Sequence, residues 1–95
     1  MEKFEKWDMA EVLDAKEDIV ACLEVALADM DIEFLFETLG SLSRAKGMTQ
    51  IARELNLTRE GLYKSLSPNG NPSFETVIRL LEILGLEIKL GLKSA

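Results

Sequence analysis

Histidine is absent from this chain altogether. Without it the commonest general base, a common zinc ligand and any serine–histidine nucleophile are missing. Cysteine occurs once, at Cys22, which excludes a disulfide framework within a protomer, points to a reducing compartment and leaves no cysteine spacing for a metal. Cys22 falls within an apolar helical stripe and is expected to be a small core residue. No GxxxxGK or GxGxxG loop is present to cradle phosphate, and the acids are spread along surface-like helical positions. An enzyme is not expected, and neither a metal nor a cofactor is implied. No run approaches the roughly 18 apolar residues needed to span a bilayer, and the chain starts without a basic and apolar leader. A soluble, cytoplasmic protein with no membrane association is expected. Met9, Met30 and Met48, like Phe34, Phe36 and Phe74, read as core or partner-contact residues.

Ninety-five residues suffice for one domain with its own core, spanning residues 1-95, and are too few for a separate catalytic module. The net charge of −6 counts against nucleic acid on average, because phosphate contact depends on local Lys and Arg. The charge is unevenly placed, however. Met1 to Glu37 holds twelve acids and three bases, net −9, whereas Thr38 to Ala95 holds five acids and eight bases, net +3. The split predicts an acidic surface on the leading segment, the arm and first helix over 1-30, and a basic surface on the helix-turn-helix part of the domain over 31-85, facing two kinds of partner. The alternative is that the acids serve only solubility.

Met1 to Leu13 alternates charges with Phe4, Trp7, Met9, Val12 and Leu13, with no helical or strand period, and reads as an arm that orders against something. Asp14 with Glu17 makes a capping-box-like start. Ile19, Cys22, Leu23, Ala26, Leu27 and Met30 follow at three and four spacing, which predicts a helix from about Ala15 to Asp29. Asp31 caps the next helix, where Leu35, Leu39 and Leu42 mark a buried face and Gly47 closes the run after Arg44 and Lys46, cations suited to a last turn. Thr49 is expected to cap a short helix over Gln50 to Leu55, Thr58 one from Arg59, and Ser73 a last one with the stripe Val77, Leu80, Leu81, Leu84 and Gly85 as its C′ residue. The stretch SPNGNPS, Ser67 to Ser73, cannot be regular structure. Leu86, Ile88, Leu90 and Leu92 alternate with Glu87, Lys89, Gly91 and Lys93. This period predicts a short strand over 86-93, which has no partner in a helical protomer and so pairs across a homodimer through Leu86, Ile88 and Leu90, or with another protein. The alternative is an amphipathic tail packed on its own core.

The most specific pattern is Met48 to Ser67, MTQIARELNLTREGLYKSLS, which fits a helix-turn-helix. Ala52 supplies the small residue where the second helix crosses the first, Ile51, Leu55, Leu57, Leu62 and Leu66 fall at inward positions, and Asn56 occupies the turn that needs positive φ. The second helix then points Arg59, Glu60, Tyr63, Lys64 and Ser67 outward. Such side chains suit a major groove: Arg59 and Lys64 toward guanine N7 and O6, Glu60 toward cytosine N4, Tyr63 toward a thymine methyl or a phosphate. Thr49, Gln50, Ser67, Asn69, Asn71 and Ser73 are expected to meet phosphates. Any one of these residues alone reads as a solvated surface position; it is the constellation that points to double-stranded DNA. The fold class that follows is all-α, five helices with a short C-terminal β-strand.

With these residues placed, the chain resembles the lambda-repressor-like helix-turn-helix family, and within it the HigA-like addiction module antidote proteins. The segment Gly47 to Leu86, with its recognition helix and the NPSFETV run after it, is similar to that subgroup's central motif, and WDMAEVLDAKEDIVACLEVAL, Trp7 to Leu27, to its opening. The resemblance implies a homodimeric antitoxin of a type II toxin–antitoxin pair that binds a small basic RelE/ParE-like (HigB-like) toxin and represses its own operon at an inverted repeat. Where many lambda-repressor-like domains have Gln at the start of the first corner helix, this chain has Met48, with Gln50 two residues on. The acidic start suits a basic toxin, and Phe4, Trp7, Asp8, Glu11, Asp14, Glu17 and Asp18 are the residues expected to meet it. A stand-alone transcriptional regulator, or a protein-binding module with a vestigial helix-turn-helix, remain the alternatives.

Overall fold

The computed structural model describes residues 16–94, so the expectations for the arm and for Asp14 lie outside the described residues. Within them are five helices: α1 Lys16–Ala28, α2 Ile32–Lys46, α3 Met48–Glu54, α4 Arg59–Ser65 and α5 Phe74–Ile83.

Helix α1 buries Ile19, Leu23 and Ala26, one line of side chains at helical spacing. It packs chiefly on α2, and a single neighbour covers a narrow stripe. This corrects the broader stripe expected from the pattern: Cys22 is exposed, and so are Leu27 and Met30. Helix α2 is the enclosed one. Leu35, Leu39 and Leu42 face the core as expected, and Thr38, Gly40, Ser41 and Ser43 are buried beside them. Of its buried hydroxyls, Ser43 Oγ donates to the Leu39 carbonyl at 2.8 Å, whereas Thr38 Oγ1 has no hydrogen-bond partner among the described residues.

The helix ends follow side-chain chemistry. Asp31 accepts from the Phe34 N–H, Thr58 from Gly61 and Ser73 from Thr76, each supplying one of the acceptors that a first turn lacks. Gly47, at φ 134°, closes α2 through its N–H to the Ser43 carbonyl and opens α3, its own carbonyl accepting from Ile51. Because one left-handed glycine makes this junction, α3 begins at Met48 and Thr49 is not its cap; no side-chain cap bond exists there.

Three helices stop in the same way. After α3, Leu57 N–H bonds the Ala52 carbonyl and Asn56 N–H the Arg53 carbonyl, with Asn56 at φ 59°. After α1, Asp31 and Met30 repeat the pattern on Ala26 and Leu27, with Met30 at φ 57°, and after α5, Leu86 and Gly85 repeat it on Leu81 and Glu82. Each is a Schellman closure that satisfies two orphan carbonyls.

The α3–α4 corner buries Ile51, Ala52, Leu55, Leu62 and Leu66, as the pattern predicts. Leu57, expected inward, is instead 36% exposed because it sits beyond the closure. After α4 the chain doubles back so tightly that a Cβ on Gly70 would strike the Lys64 and Ser65 carbonyls. Helix α5 returns to the core through Leu80, fully buried, with Leu81, Ile83 and Leu84 packed around it.

The predicted strand over 86-93 is not formed; no strand occurs among the described residues. A strand requires a ladder of neighbouring backbone groups, and none lies beside this segment. The Schellman closure at Gly85 instead folds Leu86 back to pack, half-buried, against the core of its own chain, the tail alternative in part. Beyond it Ile88 is 45% exposed and Leu90 and Leu92 are essentially uncovered. No helix among the described residues is long and apolar enough to cross a membrane.

Candidate nucleic-acid interface

Sterics and capping fix which side of α4 meets solvent. Leu62 points inward with no exposure, and Thr58 anchors the first turn by accepting from Gly61 N–H at 2.8 Å. Helical spacing then turns Arg59, Glu60, Tyr63 and Lys64 outward, and all four are exposed. Arg59 and Tyr63 are one turn apart, and the guanidinium lies 5.9 Å from the ring centroid, within reach of a cation–π attraction that limits where the guanidinium points. Among the described residues the ion pair found joins Lys89 to Glu87, so neither Arg59 nor Lys64 has a described carboxylate holding it.

The first turns of α3 and α4 and the last turn of α2 enclose a shallow hollow of about 350 Å³, bounded by Arg44, Gly47, Thr49, Gln50, Arg59 and Tyr63. Two cations, two short polar side chains and a phenol thus surround one depression. Arg44 joins them from α2, with Nη2 also donating to Ser41 Oγ at 3.1 Å. Sequence reasoning assigned Arg44 only to the helix dipole; its place beside α4 depends on the packing of three helices and has no local signal.

The remaining expected phosphate contacts do not gather there. Ser67 donates its hydroxyl to the Lys64 carbonyl at 2.7 Å, and Ser73 both caps α5 and donates to Thr76 Oγ1 at 2.9 Å. Their hydroxyls hold the backbone on either side of the loop. Asn69 and Asn71 are exposed on it. Of the residues expected to meet a protein partner, Glu17 and Asp18 are exposed in the first turn of α1, while Phe4, Trp7, Asp8, Glu11 and Asp14 lie outside the described residues. Of the expected dimer contacts, Leu86 belongs to the core of its own chain, and Ile88 and Leu90 are exposed.

A larger groove of about 560 Å³ adjoins the hollow, running between α2 and α4. Arg44, Met48 and Tyr63 border both.

No solved structure matches the chain. A protein of Haemophilus influenzae described as "Uncharacterized protein" is 40% identical over 89 residues, covering 94% of this chain and 92% of the relative. Residues 3–92 match the model of a family described as "Probable addiction module antidote protein". The chain belongs to that addiction module antidote family.

Proposed function

We propose that this chain is the antitoxin of a type II toxin–antitoxin pair that reads its own operator through α4 as a lambda-repressor-like helix-turn-helix protein. The observation that carries the DNA half is the convergence of Arg44, Thr49, Gln50 and Arg59 on one hollow, with Tyr63 and Lys64 continuing the exposed face. In such a unit the second helix enters the major groove while the first lies across the backbone. Arg59 reads guanine and Lys64 does so less rigidly, Glu60 accepts from cytosine, and Arg44, Thr49 and Gln50 hold phosphates. The overall charge of −6 does not oppose this, because affinity follows the local cations.

Family membership supports the toxin half, since an antidote implies a toxin. The finer reading is a small basic RelE/ParE-like, HigB-like toxin, met by an acidic surface to which Glu17 and Asp18 contribute, with autorepression of the shared operon in the cytoplasm and no catalysis by the antitoxin. A homodimer would set two copies of α4 about 34 Å apart, one turn of DNA, and so require an inverted repeat.

A gel shift of the full chain on the region upstream of its own gene, at low salt, tests the DNA half. A retarded band for the wild type that is lost in Arg59→Ala and Lys64→Ala is expected. No retardation of the wild type would remove the DNA reading.

A further inference from the structure

Tyr63 stands one turn beyond Arg59 on α4, and helical geometry leans it toward that residue. Side chains of an α-helix point back toward its N-terminus, so the residue at i+4 covers the turn that begins at i. Leu62 beside it is fully buried, and Thr58 fixes the first turn through Gly61, which leaves the ring little freedom of direction. Tyr63 is 39% exposed, so more of it lies against its own chain than in solvent.

The part of Tyr63 that meets Arg59 is the ring. The guanidinium carbon lies 5.9 Å from the ring centroid, within the range in which the negative face of an aromatic attracts a cation. The phenol oxygen takes no part in that contact. A second observation concerns direction. Tyr63 borders both the hollow and the groove between α2 and α4, whereas Arg59 borders the hollow but not the groove. The groove carries Asp31, Glu33 and Glu37, and a carboxylate competes with nucleic acid for a guanidinium.

We propose that Tyr63 is a positioning residue, whose ring holds the Arg59 guanidinium on the side of the hollow and away from the carboxylates of the groove. The inference rests on the DNA reading above. It gives Tyr63 a part other than the direct contact to a thymine methyl or a phosphate expected from the sequence. Freezing a long side chain opposes association, and a guanidinium held in advance has less freedom to lose when it meets a base edge. Tyr63 thus acts on DNA through Arg59.

The test uses the full chain carrying Tyr63→Phe or Tyr63→Leu, with circular dichroism to check that each folds. Phenylalanine keeps the face that attracts the cation and removes only the hydroxyl, whereas leucine removes the face. Without DNA, NMR should show a ring-current shift of the Arg59 side-chain protons in the wild type and in Tyr63→Phe that is lost in Tyr63→Leu. Fluorescence anisotropy on a labelled duplex of the region upstream of its own gene then measures the consequence. Tyr63→Phe should bind within about twofold of the wild type and Tyr63→Leu about three- to fivefold more weakly. The slope of log affinity against log salt should be unchanged in both, because no charge is removed. In an Arg59→Ala background Tyr63→Leu should cost less than about twofold, since the residue it positions is gone.

A wild type without the ring-current shift overturns the positioning whatever happens with DNA. An equal loss from Tyr63→Leu with and without Arg59 assigns Tyr63 a direct contact and overturns it as well, as does a loss in Tyr63→Phe that matches the loss in Tyr63→Leu. A wild type that shows the shift and binds no duplex removes the DNA reading, and this inference with it.

Discussion

The Arg79 guanidinium donates to the Glu54 carbonyl oxygen at 2.9 Å, across 25 positions of sequence. The acceptor is the last residue of α3 and the donor sits in the middle of α5. The bond therefore ties the final helix to the end of the first arm of the corner, where carbonyls run out of helical partners.

Arg79→Ala should lower stability by about 1 kcal/mol, the lower end for a hydrogen bond to a charged donor because the pair is exposed. Urea unfolding followed by circular dichroism measures it. An unchanged midpoint would mean that the leucines of α5 hold the helix unaided.

Among the described residues, two non-glycines adopt left-handed backbone in Schellman closures, Met30 and Asn56. Met30 has no short polar side chain to ease that conformation and is 74% exposed, so little packing is lost with it. Met30→Gly should raise stability by about 1 kcal/mol, whereas Asn56→Ala should lower it by about as much and Asn56→Gly should be near neutral. Thermal melts of the three variants decide the matter, and a destabilised Met30→Gly would contradict it.

Gly70 passes against the carbonyls that end α4. Gly70→Ala must therefore push the loop away, at a cost of about 2 kcal/mol, as for other overpacked sites. A crystal structure of the variant should show Asn69 and Asn71 displaced; an unmoved loop with unchanged melting would refute the claim.

Leu62 is fully buried between the two arms of the corner. Leu62→Ala should cost about 2–5 kcal/mol, a large part of the ~5–15 kcal/mol by which a domain of this kind is stable. Calorimetry should register a fall in melting temperature of about 8–40 °C, on the scale of about 4–8 °C per kcal/mol for small domains.

Arg44 and Arg59 should differ in kind when removed. On the proposed DNA reading, Arg44→Ala should lessen the slope of log affinity against log salt by about 1, equally on all sequences. Arg59→Ala should cost about 1–3 kcal/mol on the operator and relax preference at one base pair. Fluorescence anisotropy over a range of salt separates the two, and identical behaviour of the variants would undo the division of roles.

Local chemistry makes the helix ends legible in the sequence. Asp31, Thr58 and Ser73 cap where their side chains can reach an N–H three residues on, and Asn56 and Gly85 turn where left-handed backbone is tolerated. These interactions span a few residues, so the chain specifies them directly. Thr49 broke the rule because Gly47 beside it offered a tighter junction.

What an apolar residue faces was less legible. Leu90 and Leu23 look alike in a pattern, yet one is uncovered and the other buried, because burial depends on whether a distant element arrives. Alternation in the tail does not make a strand for the same reason: a ladder is a property of two segments.

The order of amino acids alone determined five helices, the caps Asp31, Thr58 and Ser73, the bend at Asn56 and the set of side chains that α4 turns outward, since each follows from contacts within one or two turns. Only the folding of those helices onto one another decided that Arg44 stands beside Arg59, that Cys22 and Leu27 are left in solvent, and that Leu86 returns to its own core. Such relations join residues far apart in the chain, and they exist only where packing brings those residues together.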